Sequence, residues 1–330
     1  MFTWHLVFSI YIFVALIELI VVDKVHPIFF QKLNNSNMRI RDLSSLEDKE
    51  VLKELGACKI LVIRSRFQVN ADFLIHTPEL RLIVRAGSGL DNIDEELCKR
   101  KGISCLNTPE GNRDAVAEHT LSLILALHTK IVLANSQIKE GIWDREGNRG
   151  QEINGKTLGI VGYGNCGSVL AKKVSGLGMQ VVAYDKYLTK FSNKYAKKVS
   201  LQELQEFSDI VSVHIPFNHQ NKYFINKTFL TGFKKSIVLL NLSRGKIMDT
   251  DHVIEALNNG KIKAFASDVL ENEAFSTYSP YESKQINELR SNQNVLLTPH
   301  VAGWTVESFQ KIARLLAIKI LLYLQNIEKN

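Results

Sequence analysis

A glycine-rich turn between a strand-like run and a helix-like run constrains this chain more than any other feature. Apolar residues 158–161 lead into a GxGxxG segment at Gly162, Gly164 and Gly167, and a helical pattern continues to about residue 176. Such glycines allow a tight turn, a close approach of phosphate to the backbone, and close packing of helix on strand. The start of the helix then offers amide donors to an anion. The segment therefore predicts a dinucleotide-binding βαβ unit.

The acidic residue that follows the next strand-like run indicates whether the dinucleotide is NAD or NADP. Residues 180–184 form that run, and Asp185 follows it. A carboxylate there is expected to accept hydrogen bonds from the adenosine ribose hydroxyls and to repel a 2′-phosphate, which favours NAD over NADP. Lys186 beside it leaves some room for NADP. NAD is therefore the predicted cofactor.

Short apolar runs alternate with helical patterns along most of the chain. The chain has 330 residues, which is more than a single hydrophobic core usually serves, so two domains are expected. This alternation predicts an α/β protein with doubly wound parallel sheets. Residues 115–138 are predicted to form one long helix, and Ser200 with Glu203 forms a capping box for a later one. The strand-like runs are 19–23, 60–63, 82–84, 158–161, 180–184, 210–213, 237–240, 264–266 and 295–297.

Cysteine usage and charge narrow the class of protein. The four cysteines form no CxxC pair and no Cys/His cluster with zinc spacing, so no disulfide and no metal site are predicted, as expected in a reducing cytoplasm. A net charge of +7 suits small anionic ligands and could also suit nucleic acid. Because the lysines of residues 186–198 lack aromatics interleaved at a binding-motif spacing, a solvated basic face is preferred, with no nucleic-acid partner.

Residues 1–18 form an apolar N-terminal extension of borderline length for a membrane span. No basic segment and no small-residue cleavage site of a signal peptide is evident. Two interpretations stay open: a membrane tether, or a start codon placed upstream of the true one. The second is preferred, because the rest of the sequence has no secretory character, so a membrane partner is not expected.

Three polar segments each follow a strand-like run of the second half. They occupy residues 241–245, 268–273 and 298–303, and they carry an arginine, several carboxylates and a histidine. In a doubly wound sheet the carboxyl ends of the strands face the ligand crevice. These segments are therefore predicted to converge beside the dinucleotide.

Together with residues 62–66, 85–94 and 107–112, these motifs resemble the D-isomer-specific 2-hydroxyacid dehydrogenases. Within that family the chain is most similar to short 3-phosphoglycerate dehydrogenases that lack a C-terminal regulatory domain. The resemblance extends from about Leu19 onward. It implies a flavodoxin-like substrate domain at 19–106, completed by 302–330, and an inserted Rossmann-like NAD-binding domain at 107–301.

The resemblance implies a catalytic set of Arg244, Glu273 and His300. A planar guanidinium can grip the substrate carboxylate with two directed bonds and polarise the 2-oxygen. A carboxylate beside an imidazole favours its protonated form and fixes its tautomer, which suits acid–base exchange near neutral pH. Glu271 is a competing partner for the histidine, but the family spacing from Asp268 selects Glu273.

The resemblance also implies further contacts, whereas His119 and His128 are expected to be packing or surface residues. The predicted cofactor contacts are Gly162, Gly164, Asn165, Cys166, Gly167, Asp185, His214, Ile215, Pro216, Leu242, Ser243, Asp268 and Gly303. The predicted substrate contacts are Arg64, Arg85, Ser88, Gly89 and Arg145, the last supplied by a neighbouring subunit, with Arg66 as a further candidate cation.

These cations make 3-phosphoglycerate the leading substrate, oxidised to 3-phosphohydroxypyruvate in the first step of serine synthesis. A glyoxylate, hydroxypyruvate or other 2-ketoacid reductase of the same family is the nearest alternative, and an NAD-sensing, corepressor-like binding protein is the alternative from another class. Trp304 stands where many relatives carry a small hydroxyl residue, and its role stays open. By analogy with the family, the helix at 115–138 is expected to support a homodimer.

Overall fold

The computed structural model describes residues 17–328, so the predicted N-terminal extension lies almost wholly outside the described residues. The chain divides into two compact units, one of residues 1–108 with 313–330 and the other of residues 109–312. The boundaries expected from the family resemblance are 106/107 and 301/302. The second boundary in the structure follows Ile312, within the last helix, rather than preceding that helix.

The first unit contains a five-stranded sheet in which all strands are parallel. Their order is β2-β1-β3-β4-β5, the flavodoxin-like order. The strands are β1 (Ile17–Val21), β2 (Met38–Asp42), β3 (Ile60–Ile63), β4 (Leu82–Arg85) and β5 (Ser104–Leu106). The helices between them are α1 (Ile28–Leu33), α2 (Asp48–Lys53), α3 (Ala71–Leu74) and α4 (Glu95–Arg100).

The second unit contains a seven-stranded parallel sheet in the doubly wound Rossmann order. The strand order is β12-β11-β10-β9-β6-β7-β8. Its strands are β6 (Thr157–Val161), β7 (Gln180–Tyr184), β8 (Lys197–Lys198), β9 (Ile210–Val213), β10 (Ile237–Asn241), β11 (Ile262–Ser267) and β12 (Val295–Leu297). Its helices are α5 (Arg113–Thr129), α6 (Ile131–Lys139), α7 (Asn165–Val174), α8 (Leu201–Phe207), α9 (Lys227–Thr231), α10 (Thr250–Asn258) and α11 (Pro280–Ser291), and α12 (Val306–Glu328) runs into the first unit.

Two apolar cores cover the two faces of the seven-stranded sheet. Alternation along β10 shows the division: Val238 and Leu240 join the core that also contains residues of α5 and α7. Ile237 and Leu239 join the core formed with α9 and α10. Because both faces are covered, β10 is buried along its whole length, which explains its continuous apolar sequence. The predicted α/β fold with two doubly wound parallel sheets is confirmed.

The prediction of one long helix over 115–138 is wrong. The chain forms α5 and α6, which meet at Lys130 in a left-handed conformation with φ 54°. The Nζ atom of Lys130 donates to the carbonyl of Gly147, 2.8 Å away. A hydrophobic pattern with helical spacing does not reveal this break, because Lys130 is a good helix former by intrinsic propensity.

The capping box at the start of α8 is confirmed, with Ser200 and Glu203 in reciprocal hydrogen bonds. Three strands were not predicted, and all three lie at sheet edges: β2, β5 and β8. Edge strands face solvent on more sides and carry polar residues, as Met38–Asp42 and Lys197–Lys198 do. Their sequences therefore lack the apolar run by which the central strands were identified.

Within residues 17–328, no single helix has the length and apolar character to cross a membrane. The pair α5 and α6 reaches that length and composition only together, across a 63° bend. Over the same residues, no cluster of three or more His, Cys, Asp or Glu side chains is arranged to hold a metal ion. All four cysteines are free thiols.

Candidate active site

The turn after β6 has the geometry that its glycines predict. Gly162 has φ +94°, and a Cβ there would stand 2.6 Å from the carbonyl oxygen of His214. A Cβ on Gly167 would overlap the carbonyl oxygen of Gly162. Around Gly164, in contrast, no described atom lies within 4 Å of the Cβ position. Gly162 and Gly167 are therefore needed for packing, whereas the bare backbone at Gly164 is open to a ligand.

The start of α7 fits an anionic group. The helix begins at Asn165, its N-cap is Gly164 with no side-chain cap, and no acidic residue lies in its first turn. The first amides of a helix have no intrahelical acceptor, and the helix dipole makes this end positive. The amides of Asn165, Cys166 and Gly167 thus lie in a first turn without a side-chain cap. Burial raises the pKa of the Cys166 thiol to about 11, so this side chain adds no negative charge.

Asp185 connects the glycine turn to the end of β7. Its Oδ2 accepts a hydrogen bond from the amide of Tyr163 at 2.8 Å, and its Oδ1 accepts from the amides of Tyr187 and Leu188 at 2.9 Å. An ionised carboxylate offers about four acceptor positions, so capacity for a hydroxyl donor remains. Lys186 donates to Gln220 at 3.0 Å.

The loops after β9, β10 and β11 are joined by short contacts that place Arg244. Ser243 Oγ donates to the carbonyl of Val213 at 2.6 Å, and the buried Asn241 side chain bonds the carbonyl of Arg244 at 3.1 Å. A Cβ on Gly245 would overlap the carbonyl oxygen of Leu270. Only glycine allows this approach, which brings Arg244 beside the loop that carries Glu273.

His300 and Glu273 form a pair at the carboxyl ends of the strands. The Nδ1 atom of His300 lies 3.0 Å from both carboxylate oxygens of Glu273, and both side chains are about half exposed. Partial burial raises the pKa of the Glu273 carboxyl, but the hydrogen bond and charge of His300, with the charge of Arg244, outweigh it and hold the pKa below its usual value. Glu273 therefore stays ionised beside the imidazole.

Glu271 has a different partner. Its Oε1 accepts hydrogen bonds from the amide and hydroxyl of Thr250, at 3.0 and 2.6 Å, at the start of α10. This carboxylate therefore stabilises a helix terminus. The structure pairs Glu273, and not Glu271, with the histidine.

His300 has a left-handed backbone conformation, with φ 54°. For a residue with a Cβ this costs about 1–2 kcal/mol. The buried Asp268 holds the peptide on both sides of it, because its carbonyl accepts from the amide of His300 at 2.8 Å and its carboxylate accepts from the amides of Val301 and Ala302 at 2.9 and 2.8 Å. These bonds fix the direction in which the imidazole leaves the loop.

His119, expected to be a packing or surface residue, makes a polar contact with the loop that precedes His300. Its Nε2 lies 3.1 Å from the hydroxyl of Thr298, which donates to Asp268 Oδ1 at 2.5 Å. No local sequence signal indicates this, because His119 lies in α5, far along the chain from Thr298. His128 is buried and bonds the carbonyl of Ile124 at 2.8 Å, as a packing residue would.

The remaining predicted cofactor residues lie around the same end of the sheet. Burial lowers the pKa of His214 to about 4, so its ring is neutral, and its Nε2 lies 2.8 Å from Ser212 Oγ. Ile215 lies against Gly162, and the carbonyl of Pro216 is held by Asn221. Leu242 is buried in the core that includes Ala302. A Cβ on Gly303 would stand 2.5 Å from the Asn112 amide nitrogen.

The predicted substrate residues of the first unit lie at the ends of β3 and β4. Arg85 Nε donates to the carbonyl of Arg64 at 3.1 Å, and its guanidinium occupies the position of a Cβ on Gly87, whose φ is +153°. Asn107 Nδ2 donates to the carbonyl of Ser88 at 2.6 Å, which anchors the loop that continues to Gly89. Arg64, Arg85 and a loop with a glycine on each side of Ser88 thus follow neighbouring strands at one edge of this unit.

Arg66 is occupied by the fold. Its guanidinium bonds Asp48 at 2.7 Å and the carbonyls of Val22, Leu43 and Leu46. This arginine therefore holds loops of the first unit and is not a candidate for substrate binding. Arg145 is exposed in the loop after α6. Trp304 is 47% exposed and packs against Phe309, with ring centroids 5.4 Å apart.

Comparison with known proteins identifies the family. The NAD-binding domain of the D-isomer-specific 2-hydroxyacid dehydrogenases matches residues 121–302. The hydroxypyruvate reductase of Thermotoga maritima is 36% identical over 277 residues, which cover 83% of this chain and 88% of that protein. The chain belongs to the D-isomer-specific 2-hydroxyacid dehydrogenases. It is an NAD-dependent oxidoreductase that acts on the CH–OH group of a 2-hydroxy acid, as predicted.

Two further relatives bear on the substrate and the fold. The D-3-phosphoglycerate dehydrogenase of Methanocaldococcus jannaschii is 32% identical over 304 residues, or 90% of this chain and 55% of that protein. The chain thus spans about half the length of this relative. A D-lactate dehydrogenase from Aquifex aeolicus, solved with NAD and lactic acid, has a TM-score of 0.80 and 27% identity, covering 94% of this chain and 96% of that one.

Proposed function

We propose that His300 and Glu273 form the acid–base pair of this dehydrogenase. The observation that carries the proposal is the contact of His300 Nδ1 with both oxygens of Glu273. A proton on Nδ1 leaves Nε2 as the nitrogen that takes the hydroxyl proton of a 2-hydroxy acid. The ionised Glu273 then stabilises the imidazolium. In the reverse direction His300 returns the proton to the 2-oxygen.

Arg244 is proposed to bind the substrate carboxylate and polarise the 2-oxygen. Its charge acts on Glu273, so the guanidinium lies near the acid–base pair. A guanidinium also withdraws electron density from a carbonyl during reduction and stabilises the oxygen as its charge grows. Arg244 therefore contributes to both binding and the chemical step.

The glycine turn, α7 and Asp185 are proposed to hold NAD, which supplies the hydride acceptor when bound. Gly164 and the amides at the start of α7 suit the diphosphate, and the spare acceptor capacity of Asp185 suits the ribose hydroxyls. His214, Ile215 and Pro216 are proposed to border the adenine. These residues fit the cofactor that the family binds.

The leading substrate is a phosphorylated 2-hydroxy acid, namely 3-phosphoglycerate. The support is the position of Arg64 and Arg85 at the ends of neighbouring strands: the Arg85 side chain contacts both the backbone of Arg64 and Gly87, which begins the loop of Ser88 and Gly89. A phosphate with nearly two negative charges is best recognised by more than one guanidinium. In this proposal the loop amides hold the carboxylate, and the two arginines hold the phosphate.

Hydroxypyruvate is the second candidate, and two observations favour it. The Thermotoga maritima relative that acts on hydroxypyruvate, by its name, matches along nearly its whole length, whereas the matched phosphoglycerate dehydrogenase is about half covered. In addition, the Nε of Arg85 already donates a hydrogen bond to the backbone carbonyl of Arg64, so one donor fewer is left for a phosphate.

The deciding experiment compares kcat/KM for 3-phosphohydroxypyruvate, hydroxypyruvate and glyoxylate with NADH. A preference of about a hundredfold for the phosphorylated ketoacid, near 3 kcal/mol, would support the first candidate. Arg64→Ala should then raise KM for that substrate much more than KM for glyoxylate. Arg100→Ala, an exposed arginine of α4, is the matched control. Equal effects on both substrates would remove the phosphate assignment, and no turnover with any ketoacid would favour an NAD-sensing binding protein.

A homodimer is proposed through α6 and the loop after it. This segment exposes five large apolar side chains: Ile131 at 61%, Val132 at 51%, Ile138 at 55%, Ile142 at 46% and Trp143 at 84%. Apolar surface on this scale favours association. Arg145 lies on the same loop and is proposed to reach the partner's substrate. Sedimentation velocity of wild type and Trp143→Lys tests this, and a monomeric wild type would contradict it.

A further inference from the structure

A chain of hydrogen bonds runs from α5 to the loop that carries His300, and it begins at His119. The Nε2 atom of His119 lies 3.1 Å from Thr298 Oγ1, which lies 2.5 Å from Oδ1 of Asp268. His119 Nε2 is also 3.8 Å from the same carboxylate oxygen. The side chain of His119 is 23% exposed, and that of Asp268 is 1% exposed, so the chain lies largely within the unit.

The chemistry of the three groups sets the direction of the bonds. An ionised carboxylate only accepts hydrogen bonds, so the Thr298 hydroxyl donates its single proton to Asp268. The same hydroxyl oxygen then has lone pairs left to accept from an N–H group. His119 must therefore carry its proton on Nε2. A donor at this point polarises the hydroxyl and strengthens the short bond to the buried carboxylate.

Asp268 transmits this constraint to His300. Its Oδ1 accepts from Thr298 and from the amide of Val301, and its Oδ2 accepts from the amide of Ala302. The peptide held in this way begins at His300, whose left-handed φ of 54° persists only where its surroundings enforce it. Rotation of the carboxylate would exchange or lengthen these bonds. The bond from Thr298, itself supported by His119, adds a third donor to the carboxylate and so restricts that rotation.

We propose that His119 is a positioning residue for hydride transfer, acting through Thr298 and Asp268 on the orientation of His300. The inference rests on the proposed role of His300 as the acid–base group. His119 binds no substrate in this scheme. Its donor at Nε2 keeps the Asp268 carboxylate in one orientation, so the imidazole of His300 is held in the direction that proton transfer requires.

The primary test replaces His119 by phenylalanine and by glutamine. Phe keeps a planar ring without a donor, whereas the Nε2 of Gln can donate to Thr298. We expect His119→Phe to lower kcat for ketoacid reduction about tenfold or more, with KM for NADH within about twofold of wild type, because misplacement affects the chemical step most. His119→Gln should recover most of the lost kcat. Glu118→Ala, the exposed neighbour on α5, is the control and should behave as wild type.

The Thr298 variants cover the case in which His119→Phe does not fold well. Thr298→Ser keeps the hydroxyl and should retain activity, whereas Thr298→Val should lose kcat as His119→Phe does. Adding His119→Phe to Thr298→Val should cause little further loss, because both changes break one chain. Additive losses would overturn the proposal, as would equal kcat values for the Phe and Gln variants. If His300→Ala retains wild-type turnover, the proposed function fails first; if only the His119 series is silent, this inference alone fails.

Discussion

The two sheets of this protein have related topologies, but the turns after their first strands differ in sequence and in hydrogen bonding. In each unit the strand order reverses beside the first strand, between β1 and β3 in one and between β6 and β9 in the other. A reversal of this kind opens a crevice at the carboxyl ends of the strands. In the second unit the turn after the first strand leads into a helix without a side-chain cap, whereas in the first unit a carboxylate follows the first strand and accepts hydrogen bonds from the loop after β3.

In the first unit, protein side chains occupy the crevice. Asp23 follows β1, and its Oδ2 accepts hydrogen bonds from the amides of Arg64 at 2.6 Å and Arg66 at 3.3 Å. The guanidinium of Arg66 bonds the carbonyl of Val22 at 3.0 Å. The turn contains no glycine between Val22 and Pro27, so it offers no bare backbone like that at Gly164, and its Asp23 carboxylate would repel a phosphate.

In the second unit, glycines keep the crevice free of side chains. Gly162 and Gly167 let the turn fold tightly, Gly164 adds nothing to the packing, and α7 begins without a side-chain cap. The lesson is that a doubly wound sheet provides the crevice, but the residues in its first turn decide whether a dinucleotide or the protein itself occupies it.

The largest expected effect comes from His300→Ala. Loss of the acid–base group should lower kcat about 10²–10⁴-fold while NADH affinity changes little, since the glycine turn is untouched. Single-turnover reduction and fluorescence titration with NADH measure the two quantities. His76→Ala, an exposed histidine of the first unit, is the control. Turnover near the wild-type rate would refute the proposed mechanism.

Two glycine substitutions separate ligand binding from packing in the crevice of the second unit. Gly164→Ala should weaken NADH binding about tenfold or more, near 1.4 kcal/mol, and leave Tm unchanged, because its Cβ meets no described atom. Gly167→Ala should lower Tm as well, because its Cβ overlaps the turn. Gly176→Ala, also with open space at its Cβ, should change neither. Unchanged NADH affinity in Gly164→Ala would break the comparison.

The smallest expected effect is that of Asp23→Ala in the first unit. Two backbone amides lose their carboxylate acceptor, so the free energy of unfolding should fall by about 1–3 kcal/mol. NADH affinity should stay at the wild-type value, because this crevice is filled by protein. Thermal or denaturant unfolding and NADH titration provide the readouts, with Lys24→Ala as the exposed neighbouring control. A weakened NADH affinity without loss of stability would contradict the contrast between the two crevices.

The sequence patterns predicted the residues of the site better than they predicted the hydrogen bonds and backbone conformations around it. The three polar segments after β10, β11 and β12 indicated that Arg244, Glu273 and His300 belong to one end of a sheet. The sequence did not indicate that the guanidinium of Arg66 donates hydrogen bonds to backbone carbonyls, because these carbonyls lie on distant loops. Nor did it indicate the break at Lys130, where a left-handed residue interrupts an otherwise continuous helical pattern.

The sequence by itself determined the features that depend on neighbours along the chain: the central strands, the glycine turn, the capping box at Ser200 and the family of dehydrogenases. Tertiary structure alone decided that Glu271 meets Thr250, and that His119 reaches Thr298. The physical reason is range. Backbone conformation and capping depend on residues a few positions apart, whereas a hydrogen bond between loops depends on where the packed sheet places strands that are far apart in sequence.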